Sequence, residues 1–208
     1  MDAVQYREAA EVNLSQARAE LSARGFDYLS ASRQTMMLND ALQEFEDFWN
    51  WPWLHKSASG AAPLQISDLR AVLKVYDQTG NPVQGITDSD NVDVTQTGTP
   101  QNWWIDDSSG TPTFIGFPVG TATFSVRYIK NTTDLSADGD TPDIPAQYHR
   151  IWIDLAVARA YEDSDNFAAS AQIRQLANQR LASIQARYEN RDLQSSPQRG
   201  YSLSSLDD

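Results

Sequence analysis

The sequence predicts an α+β fold: an antiparallel bundle of about four helices, an inserted small antiparallel β-domain and an extended C-terminal tail. Three observations predict it. Apolar residues recur at helical spacing near both ends of the chain. The middle alternates with a period of two between turn-forming residues, and the last stretch is rich in Ser with Pro197 and Gly200. The expected boundaries are 1–60 and 144–193 for the helical domain, 61–143 for the β-domain and 194–208 for the tail.

Residues 3–24 read as a first helix, with Tyr6, Ala10, Leu14, Ala17 and Leu21 at helical spacing and no Pro. Gly25 stops it where a left-handed C-terminal cap is expected. The link Phe26-Asp27-Tyr28-Leu29 carries two aromatics that call for burial, and Ser32 is the expected N-cap of the next helix. That helix, residues 33–50, has Leu38, Ala41, Leu42, Phe45, Phe48 and Trp49 on one stripe. Asp40, Gln43, Glu44, Glu46, Asp47 and Asn50 take the other side, and Trp51-Pro52-Trp53 ends the helix because the residue before Pro avoids helical geometry.

From residue 61 to 133 the signals are those of four or five short strands. Leu69, Ala71, Leu73 and Val75 fall on one face of the first, and Asp77-Gln78-Thr79-Gly80-Asn81-Pro82 turns the chain into residues 83–86. Trp103-Trp104-Ile105, Thr113–Phe117 and residues 121–129 follow, the last alternating Phe124, Val126 and Tyr128 with Thr123, Ser125 and Arg127. Asp143-Ile144-Pro145 then introduces a third helix, residues 146–163, whose apolar surface runs almost all round and belongs at the centre of the helical part. Asp165-Asn166 makes a turn and N-cap. The fourth helix, residues 167–192, buries Ile173, Ala177, Leu181, Ile184 and Tyr188.

The 208 residues are 40% hydrophobic and 21% charged, a composition that supports a packed core, and six Trp, eight Tyr and seven Phe suit a dense core or large protein interfaces. The net charge of −12 is the reverse of what gripping phosphates requires. With no cysteine there is no disulfide framework and no thiolate metal site. Met1-Asp2-Ala3-Val4 lacks a signal-peptide start, and no run approaches the ~18–20 apolar residues of a membrane span. The expectation is a protein made in the cytoplasm and soluble until it assembles.

The sequence carries no catalytic signature. His55 and His149 each stand without a ligand-spaced His or Glu, so a metal helix site is not predicted, and His149 is expected to be structural or interfacial. There is no nucleophile elbow, phosphate loop or dinucleotide fingerprint. The run Asp88-Ser89-Asp90-Asn91-Val92-Asp93 lacks the Gly and Glu an EF-hand needs at its sixth and twelfth positions, which hold Asp93 and Thr99, and it reads as a solvated turn. No enzyme activity, metal or cofactor is predicted.

Charge is unevenly spread. Between residues 61 and 145 there are eleven Asp against Arg70, Lys74, Arg127 and Lys130. Turn preference explains them as well as a role in presenting negative charge to a channel or partner. In the fourth helix Arg174, Arg180, Arg187 and Arg191 outweigh Glu189 and Asp192, and Arg180, Arg187 and Arg191 form one stripe. That stripe is a candidate to meet Asp40, Glu44 and Asp47 on a neighbouring copy, fixing register. In the tail Tyr201, Leu203 and Leu206 are spaced as anchors for a partner.

Three segments resemble the head-to-tail adaptor (connector or gatekeeper ring) proteins of tailed bacteriophages. The first is Gly25-Phe26-Asp27-Tyr28-Leu29 with Leu38-Asn39-Asp40-Ala41-Leu42-Gln43-Glu44-Phe45 and Trp51-Pro52-Trp53-Leu54. The second is Thr97-Gly98-Thr99-Pro100 leading to Trp103-Trp104-Ile105, then Phe117-Pro118 and Phe124-Ser125-Val126-Arg127-Tyr128. The third is Ile144-Pro145-Ala146-Gln147-Tyr148-His149 with Ala156-Val157-Ala158-Arg159-Ala160-Tyr161. The resemblance implies a virion protein in a homo-oligomeric ring of about twelve copies. The ring would dock on the portal protein and on a tail or nozzle protein, and genomic DNA would pass through it without specific binding. Two alternatives stand beside it: a tail-completion or other virion accessory protein, and a carbohydrate-binding or lysis-related protein in which Trp103 and Trp104 stack on sugars.

Overall fold

The computed structural model describes residues 11–86, 97–98, 100–118 and 123–195, with side chains up to residue 191. Tyr6, Ala10, the 88–93 run and the tail with Tyr201, Leu203 and Leu206 lie outside the described residues. The fold is mixed α+β, with four α-helices and two small sheets among the described residues. The chain divides into two compact units, Met1–Trp49 with Leu135–Asp208, and Asn50–Asp134.

In the first unit, helix α1 spans Leu14–Leu21. It starts later than the sequence predicts because Asn13 and Gln16 form a capping box: Asn13 Oδ1 accepts from the Gln16 amide at 2.9 Å, and Gln16 Oε1 from the Asn13 amide at 3.0 Å. A π-turn over Ser22–Phe26 follows, and Gly25 takes φ 95°, the left-handed conformation expected of it. Helix α2, Ala31–Asp47, is capped by Ser30, whose hydroxyl accepts from the Arg33 amide at 3.2 Å; Ser32 is already inside the helix. Glu46, expected on the polar side, is buried, since it sits one turn beyond Leu42 and flanks the apolar seam.

Helix α3, His149–Asp163, follows a short 3-10 turn over Ala146–Tyr148, and helix α4 spans Phe167–Ser195. Helix α3 is buried almost all round, as predicted, and packs against α1, α2 and α4. Trp152 is fully buried and its indole N–H donates to the Leu38 carbonyl of α2 at 2.8 Å, which satisfies the one polar atom of a large core side chain. Ala177, Leu181 and Ile184 of α4 face this core; Ile173 and Tyr188 are half-buried. The turn into α4 places Asp165 at φ 58° and uses Asn166 Oδ1 to accept the Ala169 amide at 3.3 Å. Asn39 of α2 pins the returning chain by bonding both the carbonyl (3.0 Å) and the amide (2.9 Å) of Leu135.

The second unit holds β1 His55–Ala61, β2 Leu64–Gln65, β3 Leu69–Tyr76, β4 Gln84–Gly85, β5 Asn102–Asp106, β6 Thr113–Phe117 and β7 Thr123–Lys130. The sheets run β1-β7-β3 and β2-β6-β5-β4. They are antiparallel except that β4 pairs parallel to β5, which corrects the purely antiparallel expectation; the long stretch of chain between these strands allows the crossover. Strands β1 and β2 were not expected. The sequence His55-Lys56-Ser57-Ala58-Ser59-Gly60-Ala61 has no β-branched or aromatic residue, and pairing along its whole length with β7 makes it a strand.

Strand β3 departs from simple alternation. Register shifts between Leu69 and Ala71 and between Val72 and Lys74 set two residues against one on β7 at two places. Leu69, Val72 and Val75 therefore face the core while Leu73 is exposed. Phe114, Phe124, Val126 and Tyr128 complete this core, and a Cβ on Gly116 would fall 2.7 Å from the Phe124 ring. Trp51 is fully buried and stacks on Trp53 at 4.8 Å between ring centroids.

Candidate functional site

Helices α2, α3 and α4 frame a groove of about 600 Å³ whose α2 wall carries Asp40, Glu44 and Asp47. The helical repeat brings these carboxylates to one side of α2, and Arg159 of α3 lines the groove with them. Arg159 donates to Glu44 at 2.9 Å and lies 3.8 Å from Asp40. From α4, Arg174 reaches the other Glu44 oxygen at 3.3 Å and Glu162 at 2.9 Å, where Ser170 also donates at 2.9 Å. One carboxylate thus ties three helices together. The groove presents fixed charge on rigid elements, an arrangement suited to recognition.

The Arg180 stripe lies elsewhere. Arg180 bonds Asp154 of α3 at 2.7 Å, and Arg24 holds the second Asp154 oxygen at 2.7 Å. Arg191 lies over the Tyr188 ring at 4.9 Å, Tyr188 meets Trp49 at 6.2 Å, and Arg187 is exposed. Within the chain Asp40 and Glu44 are therefore answered by Arg159 and Arg174, and Arg180 by Asp154. Sequence reasoning passed over Arg159 because it sits in the most apolar helix, one turn beyond Leu155 and two beyond Trp152 on the face those buried residues share.

His149 is buried at 2% exposure. Its Nδ1 accepts from the Val12 amide at 2.9 Å, and its other ring nitrogen donates to the Ile144 carbonyl at 2.7 Å. Burial pushes its pKa down, against the Ile144 bond and the nearby Glu11 charge, which favour the proton. It staples the lead-in to α1 onto the start of α3. His55 opens β1 in an exposed position, and among the described residues no group of three or more His, Asp or Glu could hold a metal.

Large apolar side chains do reach the surface. The α1–α2 turn and the α3–α4 turn lie at the same end of this unit, since Phe26 meets Tyr161 edge-on at 5.0 Å and Arg33 pairs with Asp163. There Tyr28 is 62% and Phe167 63% exposed. Trp103 and Trp104 offer no such platform: Trp104 is buried, and Trp103 stacks on Phe114 while donating to the Val83 carbonyl at 3.0 Å.

The third helix is buried almost all round, as expected, whereas Tyr28 of the link after α1, expected to be buried, is exposed. The family described as SU10 adaptor protein matches this sequence over residues 11–200. The chain belongs to that family. As an SU10-family adaptor it is a structural protein of a bacteriophage, and the match runs through both compact units. No curated protein matches the chain. Among the adaptor's described residues no helix is long and apolar enough to cross a membrane.

Proposed function

We propose that this adaptor acts at the head-to-tail junction of the virion, in a ring of about twelve copies beneath the portal. The ring extends the DNA channel, seals it after packaging and docks tail or nozzle components. The family match across residues 11–200 carries this reading. In it the helices from both ends of the chain act as an antiparallel bundle, the β-unit is an inserted module, and residues 194–208 extend to a partner. Asp40, Glu44 and Asp47 of one copy face Arg187 and Arg191 of the next, with Arg180 between them, and Tyr28 and Phe167 supply apolar contact. Tyr201, Leu203 and Leu206 anchor the tail. The net charge of −12 lets DNA pass without being held.

Cryo-microscopy of virions tests the placement. Density for this chain between portal and tail is the expected result, and its absence from the neck would overturn the reading. Many copies multiply weak contacts, so single changes in the helical interface are expected to slow assembly more than they unfold the subunit.

A further inference from the structure

All five lysines and arginines between Asn50 and Asp134 lie in one sheet: Lys56 on β1, Arg70 and Lys74 on β3, Arg127 and Lys130 on β7. The register sets Ser57, Arg127 and Lys74 in one row across that sheet and Ser59, Ser125 and Tyr76 in the next. Residues directly opposite each other share a face. This is the solvent face, where Ser57, Lys74 and Arg127 are exposed, while Val75, Phe124 and Val126 fill the core on the other side.

Lys56 is paired with Asp68 at 2.9 Å. Lys74 and Arg127 have no carboxylate within ion-pairing distance among the described residues. Like charges set directly opposite destabilise a sheet, and here they persist in a chain of net charge −12. Hydroxyls flank them, Ser59 donating to Ser125 at 3.2 Å, so the surface beside the cations is polar. Asp106 and Asp107 begin the β5–β6 turn in the other sheet, Asp107 exposed and Asp106 accepting from the Ser108 amide at 3.0 Å. Hydrogen bonds from Ser108 hold the Asp106 carboxyl below its usual range, so it stays ionised.

We propose that the Lys74–Arg127 face docks the Asp106–Asp107 turn of a second copy of this chain. A basic face and an acidic turn at different places on one unit make a heterologous, head-to-tail contact, the kind that closes into a ring. Two cations among small hydroxyls are too few to hold a duplex, whose binding draws on many phosphate contacts, but they match a turn with two carboxylates. The proposal rests on the ring reading above and assigns a surface to it.

Sedimentation of the full-length protein at low and high salt tests it. Self-association is expected to weaken as salt rises, and Lys74→Glu with Arg127→Glu should weaken it by about tenfold or more. Asp106→Lys with Asp107→Lys should do the same, and an equimolar mixture of the two variants should assemble again. The chain has no cysteine, so Ser57→Cys with Ser109→Cys should give a ladder of cross-linked multimers on oxidation. Arg127→Ser should leave the melting temperature unchanged or higher; a large fall would mark the arginine as structural and overturn the proposal. Variants that assemble like the wild type, or that weaken without recovery on mixing, overturn this docking and leave the ring standing. A wild-type chain that stays monomeric at every salt and concentration overturns both. Duplex DNA binding lost in the Lys74→Glu, Arg127→Glu variant would give the face to nucleic acid instead.

Discussion

Gly116 and His149 are single residues on which the packing of each unit turns. At Gly116 a Cβ would meet the Phe124 ring at 2.7 Å and Pro100 at 2.9 Å, so Gly116→Ala should cost about 1–3 kcal/mol by overpacking, read as a lower urea midpoint. His149 must be neutral at Nδ1 to accept the Val12 amide. Its folded pKa lies below the unfolded value of about 6.5, so stability is complete above that pH and falls as pH drops below it, because the unfolded chain takes the proton first. Unfolding at pH 7.5 and 5.5 should show this loss, and His149→Gln should flatten the slope between them. The structural role of His149 was legible in the sequence; its partners and the role of Gly116 were not. Gly116 stands in an unremarkable Thr-Phe-Ile-Gly-Phe run, and Val12, which donates to His149, lies 137 residues away along the chain.

Among the elements, the helices were more legible than the strands. The apolar girth of α3 and the middle of the α2 and α4 stripes are local patterns with a fixed period that the packing buries, while Phe48, Trp49, Ile173 and Tyr188 at the stripe ends are half-buried. Helix starts were less legible, because several polar residues compete for each cap. Ser30, not Ser32, caps α2, so Ser30→Ala should lower stability by about 1 kcal/mol while Ser32→Ala stays within about 0.5 kcal/mol, measured by thermal unfolding. Strand β3 misled alternation because its two bulges are set by pairing with β7. Leu73→Thr, on the exposed bulge, should therefore leave stability almost unchanged, whereas Val75→Thr places a hydroxyl in the core and should cost about 1–3 kcal/mol.

For the whole molecule, assembly should separate from folding. Removing residues 194–208 is expected to leave the melting temperature and far-UV circular dichroism of the subunit unchanged while abolishing incorporation into particles. Unfolding of the truncated subunit would count against the tail as a docking segment. The sequence by itself determined the α+β class, the order of helices around a β-rich middle, and the apolar seams, because hydrophobic period and turn chemistry are local. The tertiary structure decided which arginines answer Glu44, that Arg180 serves Asp154, that a Ser- and Ala-rich stretch becomes β1, and that Lys74 faces Arg127. Those outcomes depend on which distant residues share a row or a groove, and charge partners are chosen by that proximity rather than by spacing along the chain.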